Sequence, residues 1–241
     1  MAIKQFKARY AGSKFGIWWT VITPLLLAVS INFVFVAVFQ INFPNYTLFV
    51  LAGIIPWFFF TNALTETMNS FLVSSSVLKQ AILPLEFIPI SSILANLFNF
   101  LIGFIFLLPL FIIMNFKVVF FLPLLFLVIM LHLFFIIGLG FIFSSFNLFF
   151  RDLSHFLSIG FMLWFWLTPV FYSLEMLPPT FRWICLLNPM TYFIILYQEI
   201  LFKARIPQFP IISISFLISF FSCILGYTLF LNKKSALLKN I

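Results

Sequence analysis

Six long apolar runs leave this chain few folds that it can adopt. Each run is close to or above the roughly 20 residues that a helix needs to cross the hydrocarbon core of a bilayer. The runs cover residues 18–39, 48–72, 87–114, 118–143, 156–172 and 211–231. They are far longer than the alternating segments of about 10 residues that build a transmembrane β-barrel. The sequence therefore predicts an all-α polytopic membrane protein with six transmembrane helices.

The composition excludes the alternatives to a membrane protein. Charged residues make up 7% of the 241 residues and hydrophobic residues make up 64%, whereas an ordinary soluble domain is about 25% charged. So few charges cannot cover the surface of a soluble globule. A disordered chain is excluded as well, because disorder requires low hydrophobicity.

A seventh apolar segment, residues 181–201, is interrupted at its middle by Asn188-Pro189. The residue before a proline is pushed away from helical geometry. Two half-helices that dip into the membrane and return therefore fit this segment better than one more span. Such re-entrant backbone is tolerated where the protein itself buries it.

The distribution of basic residues agrees with six spans. If the N-terminus is cytoplasmic, nine Lys and Arg residues lie on the cytoplasmic side of the membrane and four lie on the outer side. A seventh span would place six on the cytoplasmic side and seven on the outer side. The inside group is Lys4, Lys7, Arg9, Lys14, Lys79, Arg151, Lys233, Lys234 and Lys239, and the outside group is Lys117, Arg182, Lys203 and Arg205. Both termini are therefore predicted to be cytoplasmic.

The N-terminal residues carry four basic side chains together with Phe6 and Tyr10, which share one face of a helix because they are spaced i, i+4. A short helix lying on the cytoplasmic surface, with its cations toward anionic lipid, explains this pattern. A disordered basic tail is the alternative. We expect one transmembrane domain over residues 1–241. It comprises the interfacial helix (1–16), the six-span bundle (17–231) and a cytoplasmic tail (232–241).

The segment between the second and third runs, residues 74–86, is a candidate docking element. Three serines precede Val77, Leu78, Ile82 and Leu85, which are apolar and at roughly helical spacing, and Pro84 either stops the helix or offsets it from the next span. An amphipathic helix with an exposed apolar face on the cytoplasmic side invites a protein partner. A connector lying on the membrane surface is the simpler alternative.

Two charged positions have open alternatives, because a charge at the centre of a transmembrane helix costs about 2.5–3.5 kcal/mol on insertion scales. Glu66 either faces an aqueous cavity or a cytoplasmic partner, or lies near enough to the end of its span to reach the interface. Arg151 and Asp152 follow the fourth run. They either pair, cap the fifth helix or contact a partner.

No motif in the sequence supports catalysis. The phosphate-binding loop G-x-x-x-x-G-K-[ST] is missing, since Gly12-Ser13-Lys14 lacks the upstream glycine, and we expect no ATP hydrolysis by this chain. The carboxylates are scattered, and His132 and His155 lack a metal-ligand spacing. The sequence therefore predicts neither a membrane-embedded enzyme nor a metal site, and no polar filter of an ion channel is evident.

Five short motifs follow one another between residues 8 and 231. They are Arg9-Tyr10-x-Gly12-Ser13-x-x-Gly16-x-x-Trp19-x4-Pro24, Leu78-Lys79-x4-Pro84-Leu85-Glu86-x2-Pro89, Phe150-Arg151-Asp152-Leu153-x-His155, Thr168-Pro169-Val170-Phe171-Tyr172 and Leu187-Asn188-Pro189-Met190. In this order and spacing they resemble the ABC-2 type exporter permeases. The resemblance is greatest to the branch that exports polysaccharides such as O-antigen, capsule and teichoic acid.

This resemblance implies a fold and a function. Family members have six spans, an amphipathic N-terminal helix, a coupling helix between spans two and three, and two gate helices between spans five and six. The implied protein is a homodimeric permease that moves lipid-linked polysaccharide across the bacterial inner membrane, driven by two copies of a separate ATPase subunit. ATP and Mg would be bound by that partner and no cofactor by this chain. Teichoic acid, drugs or small lipids are alternative cargoes.

Two sets of site residues are expected. The coupling set, implied by the resemblance, is Val77, Leu78, Lys79, Gln80, Pro84, Glu86, Arg151 and Asp152. The channel and gate set is Trp57, Phe58, Phe59, Trp164, Trp166, Tyr172, Asn188 and Pro189. Aromatic faces can stack on sugar rings without demanding one sugar identity, which suits a moving polymer. Contact with lipid is the more ordinary explanation for any one of these aromatic residues.

Overall fold

The computed structural model describes residues 2–73, 84–150 and 152–240, and the regular structure in these residues is helical. The α-helices in that part of the chain are Ala2–Tyr10 (α1), Trp19–Asn32 (α2), Tyr46–Val73 (α3), Phe87–Met114 (α4), Leu122–Asn147 (α5), Leu153–Leu167 (α6), Pro179–Leu187 (α7), Pro189–Leu201 (α8) and Phe209–Asn240 (α9). Short 3₁₀ segments, Gly16–Trp18 and Phe116–Phe121, precede α2 and α5, and a π-helical segment, Phe33–Val38, extends α2.

Five helical segments of the described residues are long and apolar enough to cross a membrane. They are Gly16–Val38, Tyr46–Val73, Phe87–Met114, Phe116–Asn147 and Phe209–Lys234. These segments overlap the first, second, third, fourth and sixth predicted spans. The prediction of an all-α polytopic membrane protein is therefore confirmed.

The helix at the fifth predicted span is shorter than the sequence indicates. The prediction covers residues 156–172, whereas α6 has 15 residues and ends at Leu167. Pro169 explains the early end, because the residue before it, Thr168, adopts extended geometry with φ −101° and ψ 134°. The chain from Thr168 to Phe171 is buried and continues through the protein as irregular backbone.

Helices α7 and α8 form a sharply bent pair, whose axes differ by 102°. The bend falls at Asn188, whose side chain accepts a hydrogen bond from the backbone N–H of Met190, while Pro189 occupies the first turn of α8. An Asn cap followed by proline is a favoured helix start. The predicted pair of half-helices around Asn188-Pro189 is confirmed.

Helix α3 lies at the centre of the bundle. Of its apolar stretch 72% is buried, against 11% for Gly16–Val38. Helices α2, α4, α5 and α8 pack around it, and α9 packs along α5 on the other side. The first span is therefore peripheral, whereas α3 can present only a narrow face to anything outside the protein.

Several elements meet at one end of the bundle, which we call the basal end. There α3 ends and α4 begins, and Asn147 in the last turn of α5 donates from Nδ2 to the carbonyl oxygen of Met68 (3.1 Å). The last turns of α9 reach this end as well. Helix α1 packs against α4, and its Phe6 and Tyr10 rings touch edge-on, 5.6 Å apart at their centroids, on one face as the sequence predicts.

Candidate functional site

The accessible face of the central helix α3 is largely polar. Between Phe49 and Met68, the residues that are not fully buried are Phe58, Thr61, Asn62, Thr65 and Glu66. Their spacing of three and four residues places them on one face. We call Thr61, Asn62, Thr65 and Glu66 the polar stripe. Such groups rarely face lipid and instead mark a water-filled path or a protein contact.

One cavity of about 400 Å³ lies on this face, bounded by α1, α2, α3 and α4. Its polar lining is Arg9, Thr20, Thr23, Asn62, Glu66, Asn96 and Asn99, and its aromatic lining is Tyr10, Trp19, Phe58, Phe59 and Phe100. The volume lies within the range of small-molecule sites, about 300–1,000 Å³. The mixture of amides, hydroxyls and rings suits a neutral polar ligand.

An ion pair anchors α1 to the polar stripe inside this cavity. Arg9 Nη2 donates to Glu66 Oε2 (2.5 Å) and to Asn96 Oδ1 (3.0 Å), and Asn96 Nδ2 donates to the same Glu66 oxygen (2.9 Å). Glu66 therefore lines a cavity, which is one of the positions that the sequence allows, and Arg9 balances its charge.

A second contact fastens the end of α1 to α4. The Tyr10 hydroxyl donates to Asn99 Oδ1. Burial raises the pKa of Tyr10, so the hydroxyl remains a neutral donor. Together with the Arg9 pair, this bond holds α1 as a wall of the cavity.

A second cavity, of about 370 Å³, opens on the neighbouring side of the polar stripe, between α2, α3 and α6. It is lined by Leu27, Trp57, Phe58, Thr61, Thr65, Ser158, Phe161, Met162, Phe165 and Trp166. Phe58 borders both cavities. Thr61 and Thr65 face the second cavity and Asn62 and Glu66 the first, so the polar stripe is a wall common to both.

The irregular backbone after α6 is held by side chains from other helices. Gln198 Nε2 donates to the carbonyl oxygens of Pro169 (3.0 Å) and Val170 (3.3 Å), and the Tyr46 hydroxyl donates to that of Phe171. Unpaired backbone groups at membrane depth would cost several kcal/mol. These bonds allow non-helical chain beside the second cavity.

Part of the predicted channel and gate set comes together at this point. Trp164 Nε1 donates to Asn188 Oδ1 (2.6 Å), and Asn188 Nδ2 donates to Thr168 Oγ1 (2.8 Å). Trp57 meets Trp164 edge-on, with 6.4 Å between ring centroids. Pro189 adjoins Asn188, so α6, α8 and α3 are joined at one cluster.

The other members of that set are spread over the protein. Phe59 is buried and stacks on Phe100 (4.7 Å between centroids), within the lining of the first cavity. Trp166 is 58% exposed at the second cavity. The Tyr172 hydroxyl donates to the carbonyl oxygen of Trp166 (3.2 Å) and stands beyond the end of α6.

The predicted coupling set is only partly visible. Val77, Leu78, Lys79, Gln80 and Arg151 lie outside the described residues. Pro84 and Glu86 stand at the entry to α4, where Lys234 Nζ donates to Glu86 Oε1 (2.6 Å). Asp152 is exposed and precedes α6 without a capping hydrogen bond from its side chain. In the described ranges no group of three or more metal-ligating side chains comes together.

The site residues predicted from the sequence do not include Thr61, Asn62, Thr65, Asn96 or Asn99. A signal for them exists, because Thr61-Asn62 and Thr65-Glu66 recur four residues apart inside an apolar run. Polar residues at helical spacing within a span indicate a face that avoids lipid. The two asparagines of α4 add a second such face.

Comparison with known proteins bears on the same region. Residues 1–202 match the family described as ABC-2 type transporter. The chain is similar to two O-antigen export system permease proteins RfbA from Klebsiella pneumoniae, 33% identical over 234 residues and 32% identical over 231, each covering 94% of this chain and 88% of the relative. An O-antigen export system permease protein RfbA from Myxococcus xanthus is 31% identical over 211 residues, covering 85% of this chain and 80% of the relative.

Proposed function

This chain belongs to the ABC-2 type transporter family, and we propose that it is the permease subunit of an exporter that moves O-antigen-like, lipid-linked polysaccharide across the inner membrane. The names of its relatives, O-antigen export system permease proteins, support this cargo. A separate ATPase subunit, which binds ATP and Mg, supplies the energy. This chain binds no cofactor of its own.

The polar stripe is the observation that carries the proposal. Thr61, Asn62 and Thr65 offer hydroxyl and amide groups to sugar hydroxyls, and the Phe58 ring between the two cavities offers a face on which a sugar can stack. Arg9 neutralises the one carboxylate in the stripe. A neutral, mixed polar and aromatic wall binds many sugars weakly, as a passing polymer requires.

A homodimer completes the path. In one chain the second cavity is open between α2 and α6, and both helices carry exposed apolar side chains. These include Val29 and Phe33 in the first span and Ile159, Met162 and Leu163 in α6. A second copy placed against these faces would close the cavity and put two polar stripes on opposite sides of one conduit.

The topology in this proposal places the basal end in the cytoplasm, with both termini there and two ATPase subunits docked on it. A reporter fused after Ile241 should then read out as cytoplasmic. A periplasmic readout would contradict the topology and, with it, the docking of the ATPase at the basal end.

The test of the proposed function is export by a reconstituted complex of the chain with its candidate ATPase. Each hydrogen bond to sugar is worth about 0.5–1.5 kcal/mol, so the double variant Thr61→Val, Asn62→Leu should slow glycan export roughly tenfold. ATPase binding should be retained. Thr228→Val, which replaces an exposed hydroxyl on α9, is the matched control and should export normally.

Two results would count against the polysaccharide cargo. One is unchanged export by the double variant. The other is a gene deletion that leaves the surface glycan intact while it alters drug sensitivity, which would favour a drug or small lipid as cargo.

A further inference from the structure

The described residues form a second, smaller apolar core at the basal end. It consists of Phe71, Leu85, Ile88, Phe141 and Phe230, which come from the end of α3, the entry to α4, α5 and α9. Phe230 is fully buried, with its ring centroid 6.3 Å from that of Phe71 and 4.9 Å from that of Phe141. Four elements that are distant in sequence are thus packed into one block.

One turn beyond Phe230, Lys234 ties α9 to the entry of α4. Its Nζ donates to Glu86 Oε1 at 2.6 Å, and the Glu86 side chain is only 18% exposed. The hydrogen bond from Lys234 lowers the pKa of Glu86, so the carboxylate is charged near neutral pH. Glu86 stands three residues after the segment 74–83, which carries most of the predicted coupling set.

The neighbouring lysine, Lys233, contacts a second stretch of chain at the basal end, residues 146–150. Its Nζ lies 3.5 Å from the ring centroid of Phe146 and 5.3 Å from that of Phe149, in cation–π contact. These rings stand where α5 ends and the chain turns toward α6. One turn of α9 therefore contacts both the chain that follows segment 74–83 and the chain that leads to Asp152. We call these two stretches, at Glu86 and at residues 146–150, the basal connections.

Helix α9 can transmit a displacement of the residues that Lys233 and Lys234 contact. It has 32 residues and is therefore about 48 Å long. It packs along α5 through most of the bundle. A displacement of either basal connection must move α9 as well, or it must break the contact that Lys233 or Lys234 makes with that connection.

We propose that Lys233 and Lys234 are positioning residues that join the two basal connections into one unit, so that movement imposed by the ATPase on either connection reaches α4, α5 and α9 together. This inference rests on the proposed function. In this proposal the two lysines act through Glu86 and the two phenylalanine rings.

The test measures glycan exported per ATP hydrolysed by the reconstituted complex. Lys234→Glu and Glu86→Lys should each lower this ratio about fivefold, the lower end of ordinary coupling effects, while the ATPase remains bound. The double exchange Lys234→Glu, Glu86→Lys restores an ion pair and should recover most of the ratio. Lys233→Gln should lower the ratio and Lys233→Arg should preserve it, because arginine retains the cation over the rings.

Lys117→Glu, a charge reversal at an exposed position on the opposite end, serves as the control and should leave the ratio unchanged. Wild-type ratios in the single variants, or a double exchange that stays uncoupled, would overturn the inference. So would equal losses of export and hydrolysis, which indicate a purely structural role. A wild-type complex that exports no glycan would instead refute the proposed function.

Discussion

The Glu66 carboxylate is tolerated within a span because two donors and water share it. Replacing it with alanine removes one acceptor from Arg9 Nη2 and one from Asn96 Nδ2, which keep Asn96 Oδ1 and the Ser92 carbonyl oxygen respectively. Since the Glu66 side chain is 44% exposed, water screens much of the interaction, and we expect a loss of about 1 kcal/mol in unfolding free energy. The measurement is the Tm of the detergent-solubilised protein. Glu66→Gln keeps an acceptor oxygen and should lose less; an alanine variant with the wild-type Tm would contradict the bond network.

Glu86 should make the stability of the folded protein decrease as the pH falls into the acidic range. The Lys234 hydrogen bond places the folded-state pKa below the ordinary value of 4.5. The stabilisation is therefore complete above the unfolded-state pKa and fades as pH falls through the lower folded-state pKa. A Tm series from neutral pH downward should show a steeper acid decline for wild type than for Glu86→Gln. Glu175→Gln, at an 83% exposed side chain, should follow wild type; parallel curves for all three proteins would refute the assignment.

Residue-scale pairings were beyond sequence reasoning because they join distant parts of the chain. Arg9 is 57 residues from Glu66, and Lys234 is 148 residues from Glu86. Helix packing decides such partners, and a residue pattern within one helix does not contain them. The i, i+4 contact of Phe6 with Tyr10 was predictable, since it depends on helical spacing alone.

At the scale of elements, the crossing of α5 and α9 depends on two glycines. A Cβ added to Gly138 would overlap the carbonyl oxygen of Ser222, and one added to Gly226 would overlap that of Gly138 itself. The Ser222 hydroxyl donates to the carbonyl oxygen of Phe135 across the same crossing (3.1 Å). Small residues and serines allow helices to approach this closely within a membrane.

Alanine at either glycine should therefore push the two helices apart. We expect Gly138→Ala and Gly226→Ala each to lower the unfolding free energy by about 1–3 kcal/mol, the usual cost of overpacking. The control is Gly160→Ala in α6, where an added Cβ meets nothing within 4 Å, and the better helix propensity of alanine should keep or raise the Tm. Equal Tm values for all three variants and wild type would show that the crossing can relax.

The helices were predictable where the length of an apolar run defines them. They were less predictable where side chains from elsewhere in the chain form hydrogen bonds with non-helical residues. Five spans and the bend at Asn188 follow from run length and proline. The end of α6 does not, because Thr168 to Phe171 stay buried only with bonds from Gln198, Asn188 and Tyr46. Those donors lie on other helices or, for Asn188, at the bend between α7 and α8, so the run through residue 172 is continuous in sequence.

At the scale of the whole molecule, a polar wall of the chain is left open to its surroundings. The polar stripe faces two cavities, and the second opens between the apolar faces of α2 and α6. An open polar wall in contact with lipid would be costly, whereas a symmetric second copy against α2 and α6 would enclose the second cavity. The predicted arrangement of one domain over residues 1–241 is compatible with this assembly and stays a prediction.

A second copy against α2 and α6 would bring positions at the second cavity close to their counterparts in that copy. In a background of Cys185→Ser and Cys223→Ser, a cysteine at Met162, which is 67% exposed and lines the second cavity, should form a covalent dimer with a short bifunctional thiol reagent in native membranes. A cysteine at Leu225, 56% exposed on α9, should react with a monofunctional thiol reagent yet remain monomeric on a denaturing gel. Since both positions are exposed and apolar, only proximity to a second copy distinguishes them. Dimers at Leu225 and none at Met162 would place the partner against α9 and remove the enclosed conduit from the proposal.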